Sequence, residues 1–215
     1  MRRGFFAICL ITAGLPPTVV AQRPIRVAVM ASHLDHRVEA GFGPERSSGL
    51  VFGGDVRVGV ARNIAVAAAG SAGHLDARAG DAMDRDVAQL SLGAEALPLT
   101  WLVIDAGVTL RNYSTVLARQ RWTLWRAGAE ARVPFSGGRV HAVGRFGLYP
   151  WASANGLPRA TLAVESAVGL SYASGPWGLD LRYAFERCDF SPSGSGERIE
   201  QLSGLVVRAG WAMPR

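Results

Sequence analysis

The sequence predicts an all-β fold: an antiparallel up-and-down transmembrane β-barrel of ten strands, following a cleaved leader, with eight strands as the alternative count. Three observations carry this. From Ile25 onward, hydrophobic residues recur with a period of two. The alternating segments run roughly 10 to 14 residues, about twice the usual globular strand and close to what a tilted strand needs to cross hydrocarbon. Short turns alternate with longer polar connections, an asymmetry typical of membrane barrels.

The composition is consistent with this. The chain has 215 residues, 49% of them hydrophobic and 19% charged, which is too apolar for a disordered chain. After the first 25 positions no uncharged apolar run is long enough for a membrane helix. All 23 cationic residues are arginine. They are scattered singly among acids and form no patch, which argues against nucleic acid as a partner.

The segment 1–21 reads as a signal peptide. Arg2 and Arg3 precede an apolar run from Phe5 to Leu15, and Val19-Val20-Ala21 supplies compact residues at the cleavage position. The barrel domain is then 22–215. It retains one cysteine, Cys188, so no disulfide can form within it.

The strands follow in order. The first lies near 25–34. The second sets Leu50, Phe52, Val56, Val58 and Val60 against Asp55, Arg57 and Gly59. The third and fourth lie near 63–75 and 85–97. The fifth sets Leu102, Ile104, Ala106, Val108 and Leu110 against Val103, Asp105, Gly107, Thr109 and Arg111. The sixth sets Trp125, Ala127, Ala129, Ala131 and Val133 against Arg126, Gly128, Glu130 and Arg132. The seventh sets Val140, Ala142, Phe146 and Leu148 against Arg139, His141, Arg145 and Gly147. The eighth sets Leu162, Val164, Val168, Leu170 and Tyr172 against Glu165, Gly169 and Ser171. The ninth is the cleanest, with Trp177, Leu179, Leu181, Tyr183 and Phe185 against Gly178, Asp180, Arg182, Ala184 and Glu186. The tenth sets Leu205, Val207, Ala209 and Trp211 against Gly204, Arg208 and Gly210.

Short turns are expected at 61–63, 97–99, 135–137 and 174–176, where Gly, Pro, Asn and Ser gather. Longer polar loops are expected at 35–48, 76–84, 114–119, 150–159 and 189–197.

Alternation alone does not say which face meets solvent. Two features put the apolar face on lipid. Tyr172, Trp177 and Trp211, with Trp101 beside them, lie near the short turns. Phe52, Trp125, Tyr183 and Phe185 lie nearer the longer connections. Two aromatic belts are expected where strands cross the headgroup layers. The charged face is also rich in glycine, which weakens a strand but leaves room in a narrow lumen for long side chains.

In these respects the chain resembles a small bacterial outer-membrane β-barrel protein. The resemblance covers 22–215 and rests on pattern rather than a diagnostic motif. It implies an outer-membrane location, contact with outer-membrane lipid, insertion by the barrel-assembly machinery, a monomer, and no cofactor or metal. Such proteins end on an aromatic residue, whereas here Ala212-Met213-Pro214-Arg215 follows Trp211.

On this reading the lumen holds Asp55, Arg57, Glu95, Asp105, Arg111, Arg126, Glu130, Arg132, Arg139, His141, Arg145, Glu165, Asp180, Arg182, Glu186 and Arg208. Mixed signs at this density predict a charge-paired interior. Hairpin counting places Arg145 opposite Glu165, and Glu130 opposite His141 with Arg139 diagonal to it. The expected role is structural or interactive, with weak small-solute passage. One alternative is a soluble secreted or periplasmic barrel holding a small apolar ligand. A second is a barrel hydrolase using a rim site from His33, Asp35, His36, His74 and Asp76, since histidine with a carboxylate can serve as a base or bind metal.

Overall fold

The computed structural model describes residues 25–41, 43–135, 138–193 and 196–213. The signal-peptide assignment, 1–21, lies outside the described residues. The strands are β1 (Ile25–Ala40), β2 (Gly43–Ala61), β3 (Ile64–Ala79), β4 (Arg85–Leu99), β5 (Leu102–Ser114), β6 (Arg119–Phe135), β7 (Val140–Ala154), β8 (Ala160–Ser174), β9 (Trp177–Ser193) and β10 (Gly196–Met213). Each pairs antiparallel with its chain neighbours, and β1 pairs with β10 from Ile25↔Met213 to Glu39↔Ile199. This closure pairs every strand on both sides, the condition a sheet must meet in hydrocarbon; at the distal end the β7–β8 pairing stops at Leu148↔Val164, short of the ends of both strands.

The apolar face is outside. Leu179, Leu181 and Val207 are exposed, while Asp180 is buried and Arg182 and Arg208 are half-buried on the inner face. A soluble barrel with an apolar interior would have the opposite arrangement along these strands, so the soluble alternative fails here.

The strands are longer than expected, from 13 residues in β5 to 19 in β2. The segments 35–48 and 189–197 are largely strand, not loop, and β7 runs on through the first half of 150–159. The β1–β2 turn, for example, lies between Ala40 and Gly43. A 16-residue strand tilted by 45° rises roughly 37 Å, against an apolar band of about 25 Å. The barrel therefore stands well proud of the band, at the end opposite the chain termini. We call the two ends terminal and distal.

At the terminal end the hairpins are tight. Between β8 and β9, Gly175 takes a left-handed backbone conformation (φ 57°) that its neighbours could not adopt without strain, and Pro176 follows with its fixed φ. In β7 the register shifts between Trp125/Ala127 and their partners, so that Tyr149 turns inward while Leu148 and Trp151 stay outside. Pro150, which has no N–H for the ladder, sits at this bulge.

The pairing also corrects two expected rungs. Arg145 faces Ala167, and Glu165 faces Gly147. Glu130 faces Arg145, while His141 faces Pro134. For Glu130 the reason is turn length, since β6 runs to Phe135 and β7 begins only at Val140; for Arg145 it is that the β7–β8 connection is centred one residue later than 155. Arg139 lies in the β6–β7 turn and is exposed, outside the lumen where it was expected.

Candidate functional site: the barrel interior

The interior is built in three tiers. The lowest is at the terminal end. Arg57 Nη2 donates to Glu95 at 2.7 Å. Arg208 clamps Asp55 through Nε (2.6 Å) and Nη2 (2.7 Å), and reaches Asp180 through Nη1 at 2.9 Å. Glu130 accepts from Arg182 at 2.6 Å and from Arg132 at 2.7 Å. His141 lies on the inner face of β7 and lines the cavity at this mouth.

In the middle tier Asp105 meets Arg126 at 3.0 Å and Arg145 at 2.7 Å. Arg145 also bonds Glu165 at 2.8 Å, even though the two are not directly opposite. Its side chain is long enough to bridge the diagonal. Arg111 grips Glu186 with both Nη groups, at 2.6 and 2.8 Å, and donates Nε to Gln89 at 2.8 Å. The Tyr149 hydroxyl lies 2.6 Å from Glu165 and 2.9 Å from Glu186. Glycine makes room for this tier: a Cβ on Gly147 would sit 2.7 Å from the Glu165 carboxylate, and one on Gly128 would sit 2.9 Å from the Arg145 guanidinium. Fork-shaped, charge-assisted bonds of this kind offset the loss of hydration of buried ions.

The charged groups are unevenly distributed around the wall. They come from β1, β2 and β4 through β10. On β3 the inner face carries Ala65, Ala67, Ala69 and Ser71. Against that bare wall lies a cavity of about 320 Å³, lined by Ala67, Ala69, Ser91 and Gly93 on one side and by arginines and acids on the other.

The distal tier was not foreseen from the sequence. Here the interior is apolar. Val51, Leu75, Val87, Trp122, Leu124, Cys188 and Phe190 pack together inside the barrel, with Leu75 and Leu124 at 0% exposure. Trp122 and Phe190 meet edge to face with centroids 5.5 Å apart. Beside this plug His36 stacks on Tyr113 at 4.6 Å. Arg85 approaches His36 Nδ1 at 3.1 Å, and His36 Nε2 lies 3.2 Å from Glu200. Arginine can only donate, so Nδ1 accepts and Nε2 carries the hydrogen toward Glu200. The signal was present in the sequence as a change of face. In 119–124, Trp122 and Leu124 alternate with Arg121 and Thr123, in the phase that carries Arg126 and Glu130 further along the strand.

The three rim histidines do not converge on one site. His33 points outward, His36 is buried inside, and His74 is exposed, with Nδ1 2.8 Å from Asp86. Asp35 pairs with Arg46. His74, Asp76 and Asp84 do lie close enough for their ligand atoms to meet, but all three are exposed.

The aromatics lie on the outer surface. Trp101, Tyr172, Trp177 and Trp211 are at the terminal end, where Trp177 and Trp211 face each other with centroids 6.1 Å apart. Trp125 is exposed further toward the distal end, in register with Trp151. Tyr183 is exposed below it and Phe185 is half-buried.

No protein-family model and no curated protein matches the sequence. Solved structures do. The β domain of the Bordetella autotransporter BrkA matches with a TM-score of 0.53 at 17% identity, over 87% of this chain and 99% of that one. The translocator domain of the autotransporter NalP from Neisseria meningitidis has a TM-score of 0.47 at 12% identity, over 87% and 88%. Ail from Yersinia pestis has a TM-score of 0.35 at 9% identity, over 86% and 98%. Closed pairing, an outward apolar face and the likeness to the BrkA β domain agree: the chain has the fold of the bacterial outer-membrane β-barrels, built here from ten strands.

Proposed function

We propose that this protein is an exported outer-membrane barrel with a structural or interactive role, closed along its axis by a charge-paired lumen and a distal apolar plug. The observation that carries this is the distal tier. Side chains from β2, β3, β4, β6, β8 and β9 fill the cross-section there, and the largest of them have essentially no exposed surface. A solute that entered from the terminal end would have to displace Trp122, Leu124 and Phe190 to leave. With the axis shut, recognition falls to the distal rim. Its outward charges, among them Asp35, Arg46, Asp76, Arg78 and Asp86, stand above the lipid-facing band.

The experiment is single-channel recording in a planar bilayer. The wild-type barrel should give no stable current. The double variant Trp122→Ala/Leu124→Ala should give discrete openings if it migrates as a folded barrel before boiling. A steady wild-type current would overturn the proposal. Heat-modifiable migration in the outer-membrane fraction tests the location, and a mature N-terminus at Gln22 tests the signal peptide.

A further inference from the structure

The terminal mouth holds an unbalanced group of cations around an open cavity. The cavity is about 290 Å³ and is lined by Arg26, Arg57, Arg132, Arg208 and His141. The acids in reach are already engaged. Glu130 and Asp180 each serve two arginines, while Asp55 and Glu95 are taken by Arg208 and Arg57. Asp180 is the one acid that lines the cavity itself.

Arg26 lies opposite Arg57 in the β1–β2 register, so two like charges face each other on one rung. Among the described residues no acid lies within ion-pair distance of Arg26. Arg132 meets Glu130 through Nε, leaving its two Nη groups without an acceptor among the described residues. Arg57 Nε is buried and unpartnered there too. Like charges directly opposite are destabilising across strands, and the buried Arg57 Nε without an acceptor is costly. A bound anion relieves both at once.

We propose that this mouth is a binding site for an oxyanion of the phosphate class, entered from the periplasmic side, with Arg26 and Arg132 as its principal ligands. The guanidinium fork matches two oxygens of such a group. The cavity has room for more than the anion alone, so a phosphomonoester fits as well as inorganic phosphate. Because the distal plug closes the far end, the site is a blind vestibule and the ligand must leave by the way it came.

Trp177 and Trp211, outward-facing at the terminal end, border the rim of the same cavity, so their fluorescence reports occupancy. The folded barrel in zwitterionic detergent would be titrated with inorganic phosphate, and separately with glycerol 3-phosphate, against chloride at matched ionic strength. Saturable changes with either phosphate and none with chloride are expected. Tighter binding of the ester would assign the site to a carried phosphate, and equal or weaker binding to the free anion. Arg26→Ala and Arg132→Ala should each weaken binding about tenfold, the loss of one charge-assisted contact. Arg159→Ala, at the distal rim, should leave it unchanged. Should loss of the Glu130 partner prevent Arg132→Ala from folding, Arg26→Ala, which breaks no ion pair to a described acid, carries the test. No saturation beyond the chloride control, or equal weakening by Arg159→Ala, would overturn the proposal.

Discussion

The lower two tiers and the distal tier solve opposite solvent problems with the same backbone. In the lower tiers Val168 and Leu181 face out while Arg145, Asp105 and Glu130 face in. In the distal tier Arg46, Asp76 and Arg121 face out while Leu75, Trp122 and Phe190 face in. No strand is interrupted at the crossover. Adjacent apolar pairs mark it: Leu50-Val51 on β2 and Leu124-Trp125 on β6, each with one member outside and one inside. The difference shows that the surroundings, not the pairing, decide which face must be apolar. Where lipid lies outside, polar groups collect within. Where water lies outside, the barrel builds an ordinary core.

Substitutions can break or sharpen that contrast. The largest effect should come from unpairing the ionic middle tier. Arg145→Ala leaves Asp105 with Arg126 alone and Glu165 without its closest cation, and should cost about 3–5 kcal/mol, read as a shift in the urea midpoint of heat-modifiable migration. Next comes the plug. Leu124→Ala leaves a cavity and should cost about 2–5 kcal/mol, whereas Leu179→Ala, whose space lipid can fill, should cost clearly less by the same assay. Equal losses would mean that the plug is not packed as a core. Third, a charge in the lipid-facing band should be penalised and one on the distal outer face tolerated. Val168→Arg should cost about 2–4 kcal/mol and Asn112→Arg about 0–1. The smallest effect is expected at the rim: Arg46→Ala, losing the exposed partner of Asp35, should shift the urea midpoint barely at all, and any difference should vanish in high salt.

Much of the lower barrel was legible in the sequence. In 177–186 strict alternation identifies the strand and its period, and aromatics near the ends identify the outer face. Asp105, Arg111, Glu130 and Asp180 are buried, whereas Arg139 is exposed in a turn. The register was less legible, because it depends on where a turn begins. Counting from a turn at 135–136 moved Glu130 away from Arg145, and only the structure shows β7 starting at Val140. The distal strands were read as loops because Gly, Pro and Ser punctuate 35–48 and 189–197. Such residues break short globular strands, but in a long barrel strand the ladder on both sides holds them. The interior cluster of His36, Glu200 and Arg85 had no sequence signal, since its members come from β1, β10 and β4.

The outward charges of the distal tier also bear on how the molecule reaches its place. If the chain inserts from the terminal side, Asp35, Arg37, Arg46, Asp76, Arg78, Arg187 and Asp189 must all pass through hydrocarbon before they meet water again. Each such passage is expensive for a bare strand. Unaided insertion into thick, intact bilayers should therefore be slow, and locally thinned or catalysed membranes should speed it. The charges that suit the distal outer face to water are thus an obstacle to its assembly.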